Sequence, residues 1–313
     1  MFSTSSGAAK LALAVVIGLI ILKVVAAALT GSLSISAQAV DSFLDLFAIA
    51  VTIFAVRVAG KPADEEHPFG HGKVEGIAAV VQAALILTAG GFIIYSAVRR
   101  IIAGTTVELT EAGIGVMLVS IIVSILLSRH LIKVSRVTDS LALEASARNI
   151  AADVYSATGV LVALVAIRFT GLSIIDPFIA LVVALFILKA AYDVLRKSFS
   201  ELVDVKLPEA EENEIISCIT EHSGQLAGFH AVRTRKAGNQ RFVDLHLMLP
   251  KDISVEEAHL MCDHLEQDIE NRLPNSSVTI HVEPCSIECE QCLVSSCSLR
   301  IDIELGRQKT EVE

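Results

Sequence analysis

Residues Leu33–Val56 read LSISAQAVDSFLDLFAIAVTIFAV, an apolar run that carries two aspartates, Asp41 and Asp45. The run is long enough to cross a lipid bilayer as a helix, which takes about 20 residues. A spacing of four places both carboxylates on one helix face. A carboxylate at the bilayer centre costs about 2.5–3.5 kcal/mol on insertion scales, and such residues usually serve a function. The stretch therefore predicts a membrane helix with a functional acidic face, unless both aspartates lie near a hydrated helix end.

Similar apolar runs fill the chain before about residue 200. The 313 residues are 53% hydrophobic with a mean hydropathy of +0.63, which is high for a soluble protein. We count about six spans, which must be helices because the bilayer core offers backbone groups no other partners. Basic residues are more frequent on the side of the C-terminal region, which places both termini in the cytoplasm. The spans lie near Ala9–Leu29, Leu33–Val56, Gly76–Val98, Ala112–Leu127, Ala142–Ile167 and Ile174–Val194.

From Pro208 onward the pattern is that of a small soluble domain. Ser254 and Glu257 form a capping box that begins a helix running to about Arg272. The other predicted elements are a helix over Glu209–His222 and strands over Phe229–Lys236, Arg241–Leu249 and Ser277–Glu283. This α-β-β-α-β order predicts a two-layer α+β domain. We divide the chain into a membrane all-α six-helix domain (1–205), a cytosolic α+β domain (206–284) and a cysteine-rich segment with a disordered tail (285–313).

The fifth predicted span repeats the spacing of four with Asn149 and Asp153. If this face meets that of Asp41 and Asp45, three carboxylates and one amide carbonyl form an all-oxygen cage suited to a divalent cation. The alternative is that Asn149 and Asp153 cap a helix start near the membrane surface.

Two further groups of metal-ligating side chains lie outside the spans. Asp64, His67 and His71 share the loop after the second span, and a carboxylate with two imidazoles suits zinc or a similar metal. A solvated charged loop is the alternative. In the soluble domain a second set falls on different elements that could converge, although single histidines are commonly ordinary surface residues. This set is His230, His246, His259, His281 and Glu283.

All six cysteines lie in the C-terminal part of the chain. Four of them are closely spaced and could hold zinc or an iron–sulfur cluster, whereas the alternative is a flexible tail of free thiols. These four are Cys285, Cys289, Cys292 and Cys297.

Charge and motifs exclude some classes of function. The formal net charge of −10 argues against a nucleic-acid partner, which calls for a basic surface, and an acidic surface attracts cations instead. The sequence has no His-Glu-x-x-His motif and no phosphate-binding loop, so an enzyme is not expected. A membrane-anchored metal sensor, or a metalloenzyme using the histidine loop, remains as the alternative to a transporter.

Five segments together resemble the cation diffusion facilitator family, in its zinc/iron-exporting bacterial branch, over about residues 10–285. The glycine-histidine loop and the His-x-x-Arg-Thr-Arg segment are the most specific of them. The segments are Asp41–Asp45, His67–Glu75, Asn149 with Asp153, His230–Arg235 and Ile280–Pro284.

The resemblance implies a homodimer in the inner (cytoplasmic) cell membrane, with six membrane helices per subunit and a metallochaperone-like cytosolic domain. It also implies export of divalent metal ions by alternating access, with protons as the counter-ion. Asp41, Asp45, Asn149 and Asp153 take the transport-site positions, and Asp64, His67 and His71 those of a loop site. The histidine set of the soluble domain matches a structural or regulatory zinc site with two ions, and Lys73 with Asp204 matches a charged pair at the dimer interface.

The chain departs from the family's zinc pattern at Asn149, where a histidine is usual. Oxygen ligands alone favour manganese or ferrous iron over zinc, relative to mixed nitrogen sites. Asparagine does not titrate, so protons exchanged for the metal would have to bind Asp41, Asp45 and Asp153. We therefore expect Mn²⁺ or Fe²⁺ as the substrate ahead of Zn²⁺.

Overall fold

The computed structural model describes residues 4–30, 33–103, 111–170, 172, 174–222 and 226–285. Six long helices come first, and they confirm the predicted helical membrane domain. They are α1 (Ser5–Thr30), α2 (Leu33–Ala59), α3 (Lys73–Ala103), α4 (Glu111–Thr138), α5 (Leu141–Thr170) and α6 (Ile175–Leu202). Within the described residues, five segments are long and apolar enough to cross a membrane, and they lie in α1, α3, α4, α5 and α6.

The membrane helices pack in close pairs. Helix α3 runs along α6, α4 along α5, and α1 along α2. A Cβ atom on Gly159 of α5 would lie 2.6 Å from Val183 Cγ2, and one on Gly90 of α3 would lie 2.8 Å from Leu188 Cδ2. Both glycines therefore let their helix approach α6, in the way that small residues do in lipid. Ser128 Oγ donates to the Ala147 carbonyl at 2.9 Å and adds a polar link between α4 and α5.

The largest buried cluster of the membrane unit is shared by α1, α2, α3, α4 and α5. Val16, Ile49, Ala78, Leu131 and Ile150 represent the five helices in it. This cluster holds the polar face of α5 against α2.

Contacts divide the chain into two compact units, Met1–Val203 and Asp204–Glu313. The second unit has the predicted order α-β-β-α-β, which is confirmed. Strand β2 pairs antiparallel with β1 and parallel with β3, giving the order β1-β2-β3. The Ser254–Glu257 capping box is present at the start of α8. The elements are α7 (Glu209–Glu221), β1 (Gly228–Ala237), β2 (Gln240–Leu249), α8 (Val255–Arg272) and β3 (Ser276–Pro284).

The sheet buries one face against both helices. Alternate residues of β2, from Val243 to Leu249, pack with Ile219 of α7 and Leu265 of α8. Because side chains alternate along a strand, His246 lies on the opposite face. Cys218 and Cys262 belong to the same core, and burial raises the pKa of both thiols. They are therefore core residues in the protonated form.

Candidate metal sites

The polar faces of α2 and α5 contact each other inside the membrane unit. Asn149 Nδ2 donates a hydrogen bond to Asp45 Oδ1 at 3.2 Å. The carboxylate can only accept, so this contact turns the amide nitrogen toward Asp45. The side chain of Asp41 lies outside the described residues.

A small cavity opens at this contact, between α1, α2, α4 and α5. Asp45 and Asp153 both line it, together with Ser42, Ser120 and Ser124. Its volume is about 50 Å³, which is room for a metal ion with a few waters. The structure thus brings Asp45, Asn149 and Asp153 of the predicted set to one place, where two carboxylates and several oxygen donors could surround a cation.

Lys23 also lines this cavity, although it was not among the predicted site residues. Its Nζ donates to Ser42 Oγ at 2.7 Å, one helical turn from Asp45. The sequence does indicate a role for Lys23, because it lies inside the first apolar run, and charged side chains within membrane helices are rare and usually paired.

The loop between α2 and α3 gathers its predicted ligands around one carboxylate. Asp64 Oδ1 lies 3.3 Å from His67 Nδ1, and Asp64 Oδ2 lies 3.4 Å from His71 Nε2. A tight turn causes this: the Gly70 backbone N–H donates to the His67 carbonyl, and Gly70 has a φ of 78°, which favours glycine. The two imidazole rings lie 4.3 Å apart between centroids.

The structure stabilises the ionised carboxylate of Asp64. The backbone N–H of His67 donates to Asp64 Oδ1 at 2.7 Å, and this bond is the main cause that lowers the pKa of the carboxyl. The His71 side chain is only 9% exposed, and its Nδ1 has no hydrogen-bond partner among the described residues. A carboxylate and two imidazoles are therefore within reach of a single ion.

Strand register aligns three of the predicted cytosolic histidines in one row. His230 pairs with His246 across β1 and β2, and His246 pairs with His281 across β2 and β3. Their ring centroids lie 5.1 and 4.8 Å apart. Glu283 completes the group, with Oε1 2.8 Å from His246 Nδ1 and Oε2 3.5 Å from His230 Nε2. His281 Nε2 is 3.9 Å from Glu283 Oε1.

The structure also gives contacts for other predicted residues. His259 Nδ1 lies 3.5 Å from Asp263 Oδ1 on its own helix α8, and among the described residues His259 is not part of the metal-ligating group at the histidine row. Lys73 Nζ donates to the Leu202 carbonyl at 3.5 Å, and Asp204 Oδ1 lies 3.7 Å from Arg235 Nη1. Cys285 is buried at the end of β3, whereas Cys289, Cys292 and Cys297 lie outside the described residues.

Two family models together match almost the whole chain. Residues 9–203 match the cation efflux transmembrane domain, and residues 207–285 match the cation efflux protein cytoplasmic domain. The chain belongs to the cation diffusion facilitator family. This cation diffusion facilitator is thus a multi-pass membrane transporter for cation efflux rather than an enzyme, and it carries the family's C-terminal dimerisation domain.

Among its relatives, this cation diffusion facilitator is similar to the proteins named cation-efflux pump FieF. Those of Salmonella arizonae and Salmonella paratyphi A are each 36% identical to it over 282 residues, which cover 90% of this chain and 93% of the relative. A solved structure of CzrB in its zinc form is 39% identical, covering 26% of this chain and 92% of that chain with a TM-score of 0.25.

Proposed function

We propose that this cation diffusion facilitator exports divalent transition-metal ions by alternating access and takes up protons in exchange. The observation that carries the proposal is the Asn149–Asp45 contact beside a cavity that Asp153 also lines. Carboxylates in a membrane interior are expensive to bury, and a transported cation gives them a partner. Asp41 completes the proposed transport site from one turn earlier on α2.

The proposed substrates are Mn²⁺ and Fe²⁺, ahead of Zn²⁺. Asn149 stands beside Asp45 with its Nδ2 in the hydrogen bond, and a half-turn of the amide would present Oδ1 to an ion instead. The proposed ligands are then all oxygens, which suits the harder metals. The loop group at Asp64 and the histidine row both contain imidazoles and suit Zn²⁺ in a structural or regulatory role. Different ligand chemistry would then separate the cargo from the regulatory metal.

Proton exchange follows from competition for the same carboxylates. Asp41, Asp45 and Asp153 would hold the metal when deprotonated and take up protons when it leaves. Lys23 lines the same cavity, so its ammonium would balance part of the negative charge during the metal-free half of the cycle. Metal affinity that did not change with pH in the purified protein would contradict this competition.

The proposed assembly is a homodimer in the inner cell membrane with both termini in the cytoplasm. Residues 1–205 would carry the ion, and residues 206–284 would bind regulatory metal and join the subunits. Lys73 and Asp204 would add a charged pair at the dimer interface. The cysteines of segment 285–313 remain candidates for a further metal site.

Metal uptake by proteoliposomes tests the proposal. The wild type should accumulate Mn²⁺ when a proton gradient is imposed, and Asp45→Ala should lose this uptake. Thr88→Ala is the matched control, because Thr88 lies on the membrane helix α3 and donates to the Ala84 carbonyl of its own helix. Uptake that survives Asp45→Ala would reject the pathway. A wild type that binds metal without moving it would instead favour a sensor.

A further inference from the structure

A second group of metal-ligating side chains lies in the helix layer of the C-terminal unit. His222 follows the last residue of α7, and His264 and Asp268 lie one turn apart on α8. One ligand atom from each of the three residues lies within 4.8 Å of the others. The group therefore joins two helices that are distant in sequence.

The separations between these ligand atoms are close to those around a tetrahedral metal. With metal–ligand bonds of about 2.0–2.1 Å, two ligand atoms of a zinc tetrahedron lie about 3.3 Å apart. His222 Nε2 is 3.1 Å from Asp268 Oδ2, and His264 Nε2 is 3.7 Å from the same oxygen. The ligand atoms of His222 and His264 lie within 4.8 Å of each other, so a rotation of these side chains would bring all three ligands to one ion.

A hydrogen bond on the far side of the ring prepares His222 as a ligand. Its Nδ1 lies 3.0 Å from the Cys218 carbonyl oxygen, which can only accept. Nδ1 therefore carries the proton, and in the neutral ring the lone pair is on Nε2, facing Asp268. Metal-bound histidines typically donate their second N–H in this way, which fixes the tautomer and the ring orientation.

Charge and access also suit a cation. Arg272, four residues after Asp268 on α8, pairs with Glu221 through two hydrogen bonds of 2.5 and 2.9 Å, and Glu214 lies 3.7 Å from it. The side chains of His222, Asp268 and His264 are 16%, 34% and 65% exposed, so the ligands range from half-buried to open. Water can complete the coordination from the exposed side.

The group is separate from the histidine row on the sheet. Helices α7 and α8 cover the sheet face formed by Val243, Leu245, Leu247 and Leu249, and the row containing His246 lies on the other face. The two groups therefore lie on opposite sides of the same sheet and share no residue.

We propose that His222, His264 and Asp268 bind one divalent metal ion of the zinc class and thereby clamp the end of α7 to α8. Two imidazoles and a carboxylate favour Zn²⁺ or Co²⁺ over Mn²⁺. The ion bound here is a resident metal rather than cargo, because the ligands lie outside the membrane unit. The proposal does not depend on the intramembrane site.

Zinc stoichiometry of the full-length protein in detergent tests the clamp. After equilibrium dialysis against buffered Zn²⁺, His264→Gln and Asp268→Asn should each hold one zinc fewer per chain than the wild type. Glu270→Gln is the control, because it removes an exposed carboxylate from the same helix, and it should keep the wild-type number. Wild-type stoichiometry in both His264→Gln and Asp268→Asn would overturn the proposal.

A measurement on the unaltered protein gives an independent answer. Diethyl pyrocarbonate modifies accessible neutral imidazoles, and mass spectrometry of peptides locates the modified residues. Zn²⁺ should slow the modification of His264 at least tenfold at concentrations that fill the site, while Mn²⁺ at the same concentration should not. An unchanged rate at His264 in saturating Zn²⁺ would also overturn the clamp.

Discussion

Replacing Lys23 with methionine should tighten the binding of a divalent metal in the cavity between α1, α2, α4 and α5. The Lys23 ammonium is held by Ser42 Oγ at 2.7 Å, and Ser42 lies three residues before Asp45 on α2. Side chains at that spacing are about 5–6 Å apart between Cβ atoms, which puts the ammonium about 8 Å from an ion bound at Asp45.

The magnitude follows from the charges. A doubly charged ion about 8 Å from a single charge is repelled by about 4 kcal/mol at an effective dielectric constant of about 20. Water in the cavity and movement of the lysine remove part of this. We expect about 1.4–2.8 kcal/mol to remain, which is about a 10–100-fold decrease in Kd for Mn²⁺. Transport should become slower, because the ion leaves less readily.

Titration of the purified protein with Mn²⁺, followed by the electron paramagnetic resonance signal of the free ion, measures this Kd. Lys23→Arg keeps the charge and should bind as the wild type does. Lys189→Met removes another lysine from a membrane helix, α6, at a position outside the described lining of the cavity, and should also leave the Kd unchanged. An unchanged or weaker affinity in Lys23→Met would refute the electrostatic role of Lys23.

Two further predictions concern the metal preference and the loop. Asn149→His puts an imidazole beside Asp45, so the ratio of Zn²⁺ to Mn²⁺ uptake by proteoliposomes should rise about tenfold or more. Asn149→Asp keeps an oxygen donor and should not raise the ratio, and an equal rise in both variants would argue against ligand softness as the cause. The backbone N–H of His67 is the main cause that lowers the pKa of Asp64 below its ordinary value of 3.8. The hydrogen bonds that the Asp64 carboxylate accepts therefore stabilise the loop fully above pH 3.8, and this stabilisation is lost as the pH falls below 3.8. Hydrogen exchange of the His67 amide, corrected for its intrinsic rate, should therefore show constant protection from about pH 7 to 5 and a loss of protection below pH 3.8. The Asp64→Ala variant should not show this loss. Protection that is already lost at pH 5 would contradict this assignment.

The membrane helices could be predicted from the length of their apolar runs, but their ends could not. The fourth span was predicted over Ala112–Leu127, whereas α4 runs over Glu111–Thr138. Arg129, Lys133 and Arg136 continue the helix past the apolar run. Hydropathy detects the part of a helix that crosses the lipid, but it does not detect the basic helical segment that continues beyond the lipid.

The candidate sites differ in how much of them the sequence reveals. Asp64, His67 and His71 are near neighbours in the chain, so their spacing already indicated a common site. The row of His230, His246 and His281 depends on strand register, which alternation within a single strand does not determine.

Two features were not predicted from the sequence: the group at His222 and His264, and Lys23 in the cavity. His222 directly follows α7 and His264 lies on α8, and only the packing of α7 on α8 brings these two histidines together. Lys23 was counted as part of an apolar run, because one lysine hardly lowers the mean hydropathy of a span. A single charged residue in a span indicates a functional site, but only the folded structure identifies its partners on other helices.

A double-mutant cycle on Asp45 and Asp153 examines most directly whether α2 and α5 hold one shared ion. Mn²⁺ affinity would be measured for Asp45→Asn, Asp153→Asn and the double variant. Loss of a metal ligand should weaken binding at least as much as loss of a supporting partner, which costs about 10–100-fold. If both carboxylates bind the same ion, the double variant should be scarcely weaker than the weaker single variant. Losses that simply multiply would show two independent contributions and contradict a shared site.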